Sequence, residues 1–284
     1  MWMEPVSSTR LRHIGRTLRK IREDRGKTLS AVRRHLDRSP ASLSTIENGL
    51  QPLRPRDLKY ILYEYGVAEP LFGDLVTLAE QQRHKGWWLG FKDVLPPSAL
   101  DYASLENDAA AIDIAEMAFI PGLFQTADYT RAIMQSGLPE HQLAQAERYV
   151  AFRMARQRII RKPDPPRLRL IIDEAALHRT RGGPEVMRAQ LIRLIEESQR
   201  DHVALRVLPF SSVADPGLVV PFQLLDIGDP AILSAVFTDH LTGLWIVEDD
   251  AAVRRYRERF ECGWSVALPE TGSRELIHQI ISEL

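Results

Sequence analysis

Cysteine is almost missing from this sequence: Cys262 is the only one in 284 residues. A single thiol excludes an intramolecular disulfide, a thiolate zinc finger and a cysteine-held iron–sulfur cluster. Long apolar runs are missing as well. Stretches such as Leu168–Ile172 and Leu218–Pro221 are strand-sized, far short of the ~20 residues that cross a bilayer. The opening segment MWMEPVSSTRLRHIGRTLRK has no apolar centre followed by a small-residue cleavage site. A secretory signal is therefore not expected; the expected location is the cytoplasm, without membrane association. There is no GxxxxGK followed by Ser or Thr, no GxGxxG, and no serine in a GxSxG setting. Those absences remove a P-loop, a dinucleotide fingerprint and an esterase nucleophile from consideration.

What is present reads as ordinary globular protein, with 44% hydrophobic and 26% charged residues. The length fits two domains, or one large and one small. The net charge of −1 hides an asymmetry. Residues 1–86 carry 16 Lys and Arg against 10 Asp and Glu, a net of +6, whereas residues 87–284 carry 21 against 28, a net of −7. A small basic domain followed by a larger acidic one suits a polyanion binder with a regulatory or partner-binding body.

The first 86 residues are patterned as helix. Leu11, Ile14, Leu18 and Ile21 recur at spacings of three and four and form one apolar stripe, which Gly26 ends. Thr28 is placed to cap a short second helix, Leu29 to Leu36, with Val32 and Leu36 inward. Ser39 caps a third, Pro40 to Asn48, with Leu43 and Ile46 buried and Gly49 as terminator. A fourth helix starts at Pro55 and buries Leu58, Ile61, Leu62 and Tyr65; a fifth runs from about Pro70 to His84. Two short helices joined by a tight turn inside such a bundle make a helix-turn-helix.

The segment TLSAVRRHLDRSPASLSTIENG, Thr28 to Gly49, resembles the Xre/lambda-repressor family of DNA-binding domains. The likeness covers roughly residues 10–84. It implies that the third helix enters the major groove of double-stranded DNA with Pro40, Ala41, Ser44 and Thr45 facing bases. It places Ser42 nearer the phosphates and Asn48 beside the backbone at the far end. Thr28 and Ser39, at helix starts, are further phosphate contacts, as are Arg38 and Arg54. The base-facing set holds no Arg or Gln, so direct readout is expected to be modest, through hydroxyls and contacts to thymine methyl groups. The sequence departs from the family pattern at Arg33, where a small residue is usual, and at Asp37, where Gly is usual.

The second part mixes strands and helices. His84–Trp88 is the expected boundary, its Trp pair pinning the start of the new domain onto its own core. Residues 112–120, 167–172, 202–209, 222–227, 232–238 and 244–247 are strand candidates. Helices are expected over Thr126–Ser136, Glu140–Arg161, Asp173–His178, Pro184–Gln199, Asp249–Phe260 and Arg274–Leu284. The Arg-rich helix 140–161 is expected to be exposed or at an interface. The fold class is thus multidomain: an all-α helix-turn-helix domain (1–86) and an α/β domain (87–284) with a mixed sheet of about five strands.

WWLGFKDVLPPSALDYASLENDAA, FIPGLFQTADYTRAIM, DEAALHRTRGGPEVMRAQLIRL, VLPFSS and the FQLLDI strand resemble the C-terminal domain of actinobacterial antitoxin-like regulators of the WhiJ kind. That likeness implies transcription regulation, with the larger domain binding a ligand or a small acidic protein encoded by the adjacent gene. A homodimer on an inverted repeat is the expected assembly.

Other residues weigh toward structure. Glu174 and His178, four apart, read as an ion pair and not a metal site, since no further ligands are placed to complete one. Arg181-Gly182-Gly183-Pro184 reads as a simple loop and Cys262 as a buried inert thiol. His240 and the 208–212 segment draw interest only as strand ends placed to rim a pocket. No catalytic residue, cofactor or metal is expected. Two readings stay open beside the regulator: an antitoxin-like sequestering protein that has lost DNA binding, and an enzyme with an accessory helical domain.

Overall fold

In the computed structural model the chain divides into two compact units, Met1–Gly86 and Trp87–Leu284. The structure describes residues 7–36, 38–137, 144–212, 217–218, 220–240 and 243–284. Asp37 and the Glu140 start of the expected long helix lie outside the described residues, as do the side chains of Arg33 and Leu36.

Among the described residues the first unit is all helix: α1 (Thr9–Asp24), α2 (Leu29–Leu36), α3 (Pro40–Glu47), α4 (Pro55–Glu64) and α5 (Leu71–Gln81). Ser8 caps α1 by accepting from the Leu11 N–H, and Ile14, Leu18 and Ile21 form the buried stripe that the spacing predicts. They meet Val32 of α2, Leu43 and Ile46 of α3, and Leu58, Ile61 and Leu62 of α4 in one core. Close packing of α1 on α3 depends on Gly15. A Cβ there would lie 2.6 Å from the Ile46 carbonyl oxygen and 2.7 Å from that of Glu47. Gly49 ends α3 with a φ of +68°, a left-handed conformation that glycine adopts without strain.

The second unit is built on a sheet of six strands among the described residues, β1 (Ala109–Glu116), β2 (Arg167–Asp173), β3 (Val203–Leu208), β4 (Phe222–Ile227), β5 (Leu233–His240) and β6 (Gly243–Val247). Their order is β3-β2-β1-β4-β5-β6. β1, β2 and β3 are parallel, and β4 joins β1 antiparallel to begin a meander through β5 and β6. The expected count of about five was one short, because every one of the six candidate segments pairs. β1 is Ala109–Glu116, so the 112–120 segment begins earlier and ends earlier than its alternation suggested.

The helices are α6 (Pro97–Asp108), α7 (Ala127–Gly137), α8 (Ala146–Arg156), α9 (Glu174–His178), α10 (Pro184–Glu197), α11 (Asp250–Val266) and α12 (Glu270–Glu283). Both sheet faces are covered. Leu168, Leu170 and Ile172 are buried as the alternation predicts. Ile171, on the other face, joins Ala115, Phe222, Val236, Val253 and Phe260 in a separate cluster. Trp88 is buried with Ala103 and Phe152, and Trp87 packs against them, so the Trp pair does anchor this unit to its own core.

Helix α6 was not anticipated. Its buried face contains Tyr102 and Glu106 beside Leu105, which breaks the apolar stripe that periodicity detects. The Arg-rich segment also departs from expectation. It bends from α8 into a single 3-10 turn, Gln157–Arg161, and Arg156 is buried rather than exposed. Its guanidinium makes a bidentate pair with Glu106, at 2.8 Å and 2.7 Å. Arg148, Arg158 and Arg161 follow the exposed reading, Arg148 paired with Asp93 at 2.9 Å.

Candidate nucleic-acid interface

Helix α3 is short, and its sequence decides which way it faces. Leu43, Ile46 and Glu47 are buried. At about 100° per residue, Ala41, Ser44, Thr45 and Asn48 fall on the opposite stripe. Ala41 and Asn48 are exposed and Ser44 and Thr45 half-buried. Ser39 caps the start, its Oγ accepting from the Ser42 N–H at 3.1 Å, and Pro40 occupies the first turn.

The buried end of α3 is locked electrostatically. Arg22 of α1 donates from Nε and Nη2 to the two Glu47 carboxylate oxygens, at 2.7 Å and 2.8 Å. Its Nη1 donates to the Lys27 carbonyl at 2.8 Å, in the turn that leads to α2. One guanidinium thus ties α1, the start of the helix-turn-helix and the end of α3 together. The bond to Glu47 holds the Arg22 guanidinium well above its ordinary pKa, against the opposing effect of burial. Tyr65, buried nearby, has its phenol pushed up to about 12 by desolvation and then by the Glu47 charge.

The polar groups on the outer stripe differ in what they can offer. The Thr45 hydroxyl donates to the Ala41 carbonyl at 2.8 Å, so it presents its methyl and an acceptor oxygen. Ser44 Oγ accepts from Asn48 Nδ2 at 3.4 Å and keeps its proton for an outside acceptor. Asn48 Oδ1 accepts from Arg19 Nη2 at 2.7 Å, which brings an arginine of α1 to the end of α3. Arg19 also lies 3.5 Å from Glu47 and is 41% exposed. Helical periodicity showed Arg19 off the apolar stripe, but no local signal tied it to α3.

The phosphate candidates are spread along the same structure. Thr28 is exposed and its Oγ1 accepts from the Ala31 N–H at 3.1 Å as the cap of α2. Thr28 and Pro40 line one shallow depression together with Lys27 and Ser30, so the two helix starts meet there. Ser42 is half-buried beside the α3 cap. Arg54 caps α4 without a side-chain bond and is exposed, with no ion pair among the described residues. Arg38 is committed differently: its Nη2 lies 2.9 Å from Asp57 of α4. That pairing reduces the charge Arg38 presents to a phosphate.

Comparison with known families bears on both units. A model described as a helix-turn-helix domain matches residues 13–75. A second, described as a domain of unknown function (DUF5753), matches residues 99–279, well over half of the chain. The chain belongs to the DUF5753 family. It carries a helix-turn-helix domain at its N-terminal end, where the capped α3 and its outward stripe are found. No curated protein and no solved structure matches the chain.

In the DUF5753 domain the remaining singled-out residues fall apart from one another. His178 Nε2 and Glu174 Oε1 are 3.2 Å apart, the expected ion-pair geometry, and no metal-sized cluster of His, Cys, Asp or Glu occurs among the described residues. Glu174 also accepts from the Phe210 N–H at 2.7 Å, and the Phe210 ring, 65% exposed, stacks on His178. His240 stacks on Trp245, with ring centroids 3.9 Å apart. Gly182 and Gly183 turn with positive φ ahead of α10. Cys262 is exposed, which corrects the expected buried thiol: α11 continues to Val266, and at that turn Gly263, not Cys262, faces the core. No described helix is long and apolar enough to cross a membrane.

Proposed function

We propose that this protein is a transcription regulator of the antitoxin-like kind that binds an operator through α3, acting as a homodimer on an inverted repeat in the cytoplasm. The observation that carries this reading is the arrangement of α3. Its buried side is clamped by the Arg22–Glu47 pair, while a stripe of small polar residues points outward from a unit of net charge +6. Ala41, Ser44 and Thr45 meet base edges, with Pro40 at the leading end. Thr28, Ser39, Ser42, Asn48 and Arg54 hold phosphates, with Arg38 a weaker contributor and Arg19 an added one. The DUF5753 domain, net −7 over residues 87–284, receives the signal, either a small acidic protein from the adjacent gene or a ligand, and performs no catalysis. Support for that assignment comes from the likeness to WhiJ-kind regulators.

A band-shift series on the region upstream of the protein's own gene, run across salt, tests the reading. With six or more phosphate contacts, affinity should fall by about a thousandfold between 50 and 200 mM salt. A flat salt response, or no shift at low salt with the partner protein present or absent, ends the proposal.

A further inference from the structure

The DUF5753 domain contains a cavity of two lobes, about 180 Å³ and 220 Å³. They share a wall made of Arg153, Arg156, Gln223 and Asp239. The apolar groups on the first lobe include Leu95, Met134, Phe152, Phe237 and Leu244. The second reaches Glu116 and Gln125. Each lobe is smaller than the ~300–1,000 Å³ of a drug-sized site, so the occupant is of metabolite size.

The charges on the shared wall do not cancel by contact. Arg156 is fully matched by Glu106, and the Tyr102 hydroxyl accepts from it at 2.9 Å. Arg153, three residues earlier on α8, makes one side-chain hydrogen bond, from Nη1 to Gln125 Oε1 at 2.9 Å, and has no carboxylate within ion-pair distance among the described residues. Burial, and then the Arg156 charge, pull its guanidinium down to about 10. Asp239, at the exposed end of β5, lines the same wall and makes no ion pair among the described residues. Glu116 is pushed up to about 8 by burial and then by Asp239, so at neutral pH it is largely a protonated hydrogen-bond donor. The balance is one cation and one anion facing the same space without touching. A simple carboxylate would meet Asp239, and a simple amine would meet Arg153. A zwitterion satisfies both.

We propose that this cavity binds a free α-amino acid with an apolar side chain, its carboxylate on Arg153, its ammonium toward Asp239 and its side chain in the apolar lobe. This rests on the reading of the DUF5753 domain as the part that receives a signal, and names the chemistry of that signal.

Calorimetric titration of the full chain without DNA tests it, using phenylalanine and leucine. Phenylpropionate and isocaproate serve as the des-amino probes, and phenethylamine and isoamylamine as the decarboxylated ones. The amino acids should bind at least about tenfold tighter than either counterpart, the range of one charge-assisted contact. Arg153→Gln should weaken amino acid and carboxylate by about tenfold while sparing the amine. Asp239→Asn, at an exposed strand end, should weaken amino acid and amine while sparing the carboxylate, and it keeps the test valid if Arg153→Gln fails to fold. Equal binding of the amino acids and their des-amino counterparts overturns the proposal, as does absence of binding by both amino acids at millimolar concentration. Band shifts with and without phenylalanine separate the two claims. Amino-acid binding with no DNA binding would defeat the regulator reading alone. DNA binding with no amino-acid binding would defeat the cavity proposal alone.

Discussion

Glu47→Gln is the perturbation that most directly probes how α3 is held. The substitution keeps size and shape but removes the charge opposite Arg22, whose side chain is only 9% exposed. Breaking a buried pair by neutralising one partner costs about 3–5 kcal/mol, because the other charge is left without its counter-ion. Arg22 retains the Lys27 carbonyl and a 3.2 Å contact with the half-exposed Glu23, which puts the expected loss at the lower end, about 3 kcal/mol. At 1.4 kcal/mol per factor of ten, that is somewhat over a hundredfold more frequent opening of α1 and α3. For a unit of this size it is a melting shift of roughly 12–24 °C. Amide hydrogen exchange read by mass spectrometry reports it locally, since α3 amides such as Leu43 N–H, bonded to the Ser39 carbonyl, lose protection with the clamp. The double variant Arg22→Met, Glu47→Leu should regain much of the loss, because an apolar pair of similar volume needs no charge matching. An exchange change below about threefold in Glu47→Gln, or a double variant no more protected than the single, would show that the clamp does not hold α3.

Three further outcomes follow from the same structure. Gly15→Ala should destabilise the helical unit by about 1–3 kcal/mol, read by thermal melting, since its Cβ meets two backbone carbonyl oxygens under 3 Å away; an unchanged melt would show that the α1–α3 contact accommodates a methyl group. Ser44→Ala with Thr45→Ala should reduce preference for the operator over unrelated DNA more than it reduces overall affinity, while Arg54→Ala should weaken binding to both alike and lower the salt slope by about one; competition band shifts giving the reverse order would remove α3 from base readout. Glu116 titrates near 8 in the folded chain against an ordinary 4.5, so the folded state holds the proton longer. Its contribution to stability is complete below about 4.5 and is lost as pH rises through 8. Glu116→Gln should therefore flatten the fall in the DUF5753 domain's melting temperature between pH 6 and 9, a difference of about 1–2 kcal/mol after allowance for solvent in the cavity. Parallel melting curves for both proteins would contradict it.

The helical unit could be read from the chain because its signals are local. Thr28 and Ser39 each accept a backbone N–H at a helix start, and Leu43 and Ile46 are buried at the spacing that predicts it. Orientation of the α3 stripe follows from those two residues alone. The α/β unit was harder for physical reasons. Helix α6 buries Glu106, and α8 buries Arg156. Each residue scores as a surface position until its partner is known, and the partners are 50 residues apart. A charged pair that cancels at long range erases two amphipathic patterns at once, so the Arg-rich helix reads as exposed and the helix before β1 is not seen. The cavity wall was invisible for the same reason, since it is assembled from α8, β4 and β5.

The two units share a device that these pairs explain. In α1, Arg22 is bound by Glu47 and Arg19 stands one turn before it, half-exposed at the end of α3. In α8, Arg156 is bound by Glu106 and Arg153 stands one turn before it, facing the cavity. A spacing of three places both arginines of each pair on one helix face. The deeper one is neutralised bidentately, which fixes the helix rotation and removes a buried charge that would otherwise be costly. The outer one donates to a neutral amide oxygen, Asn48 for Arg19 and Gln125 for Arg153, and Arg19 also shares Glu47 at 3.5 Å. An amide partner orients a guanidinium without cancelling its charge. That leaves a fixed positive charge at each of the two surfaces where a ligand is proposed: a phosphate backbone at α3 and a carboxylate in the cavity. Asn48→Asp, at an exposed position, should therefore weaken DNA binding in band shifts more than Asn48→Ala does while thermal melting of the helical unit changes little; equal loss in the two variants would show that the Arg19 charge is not used.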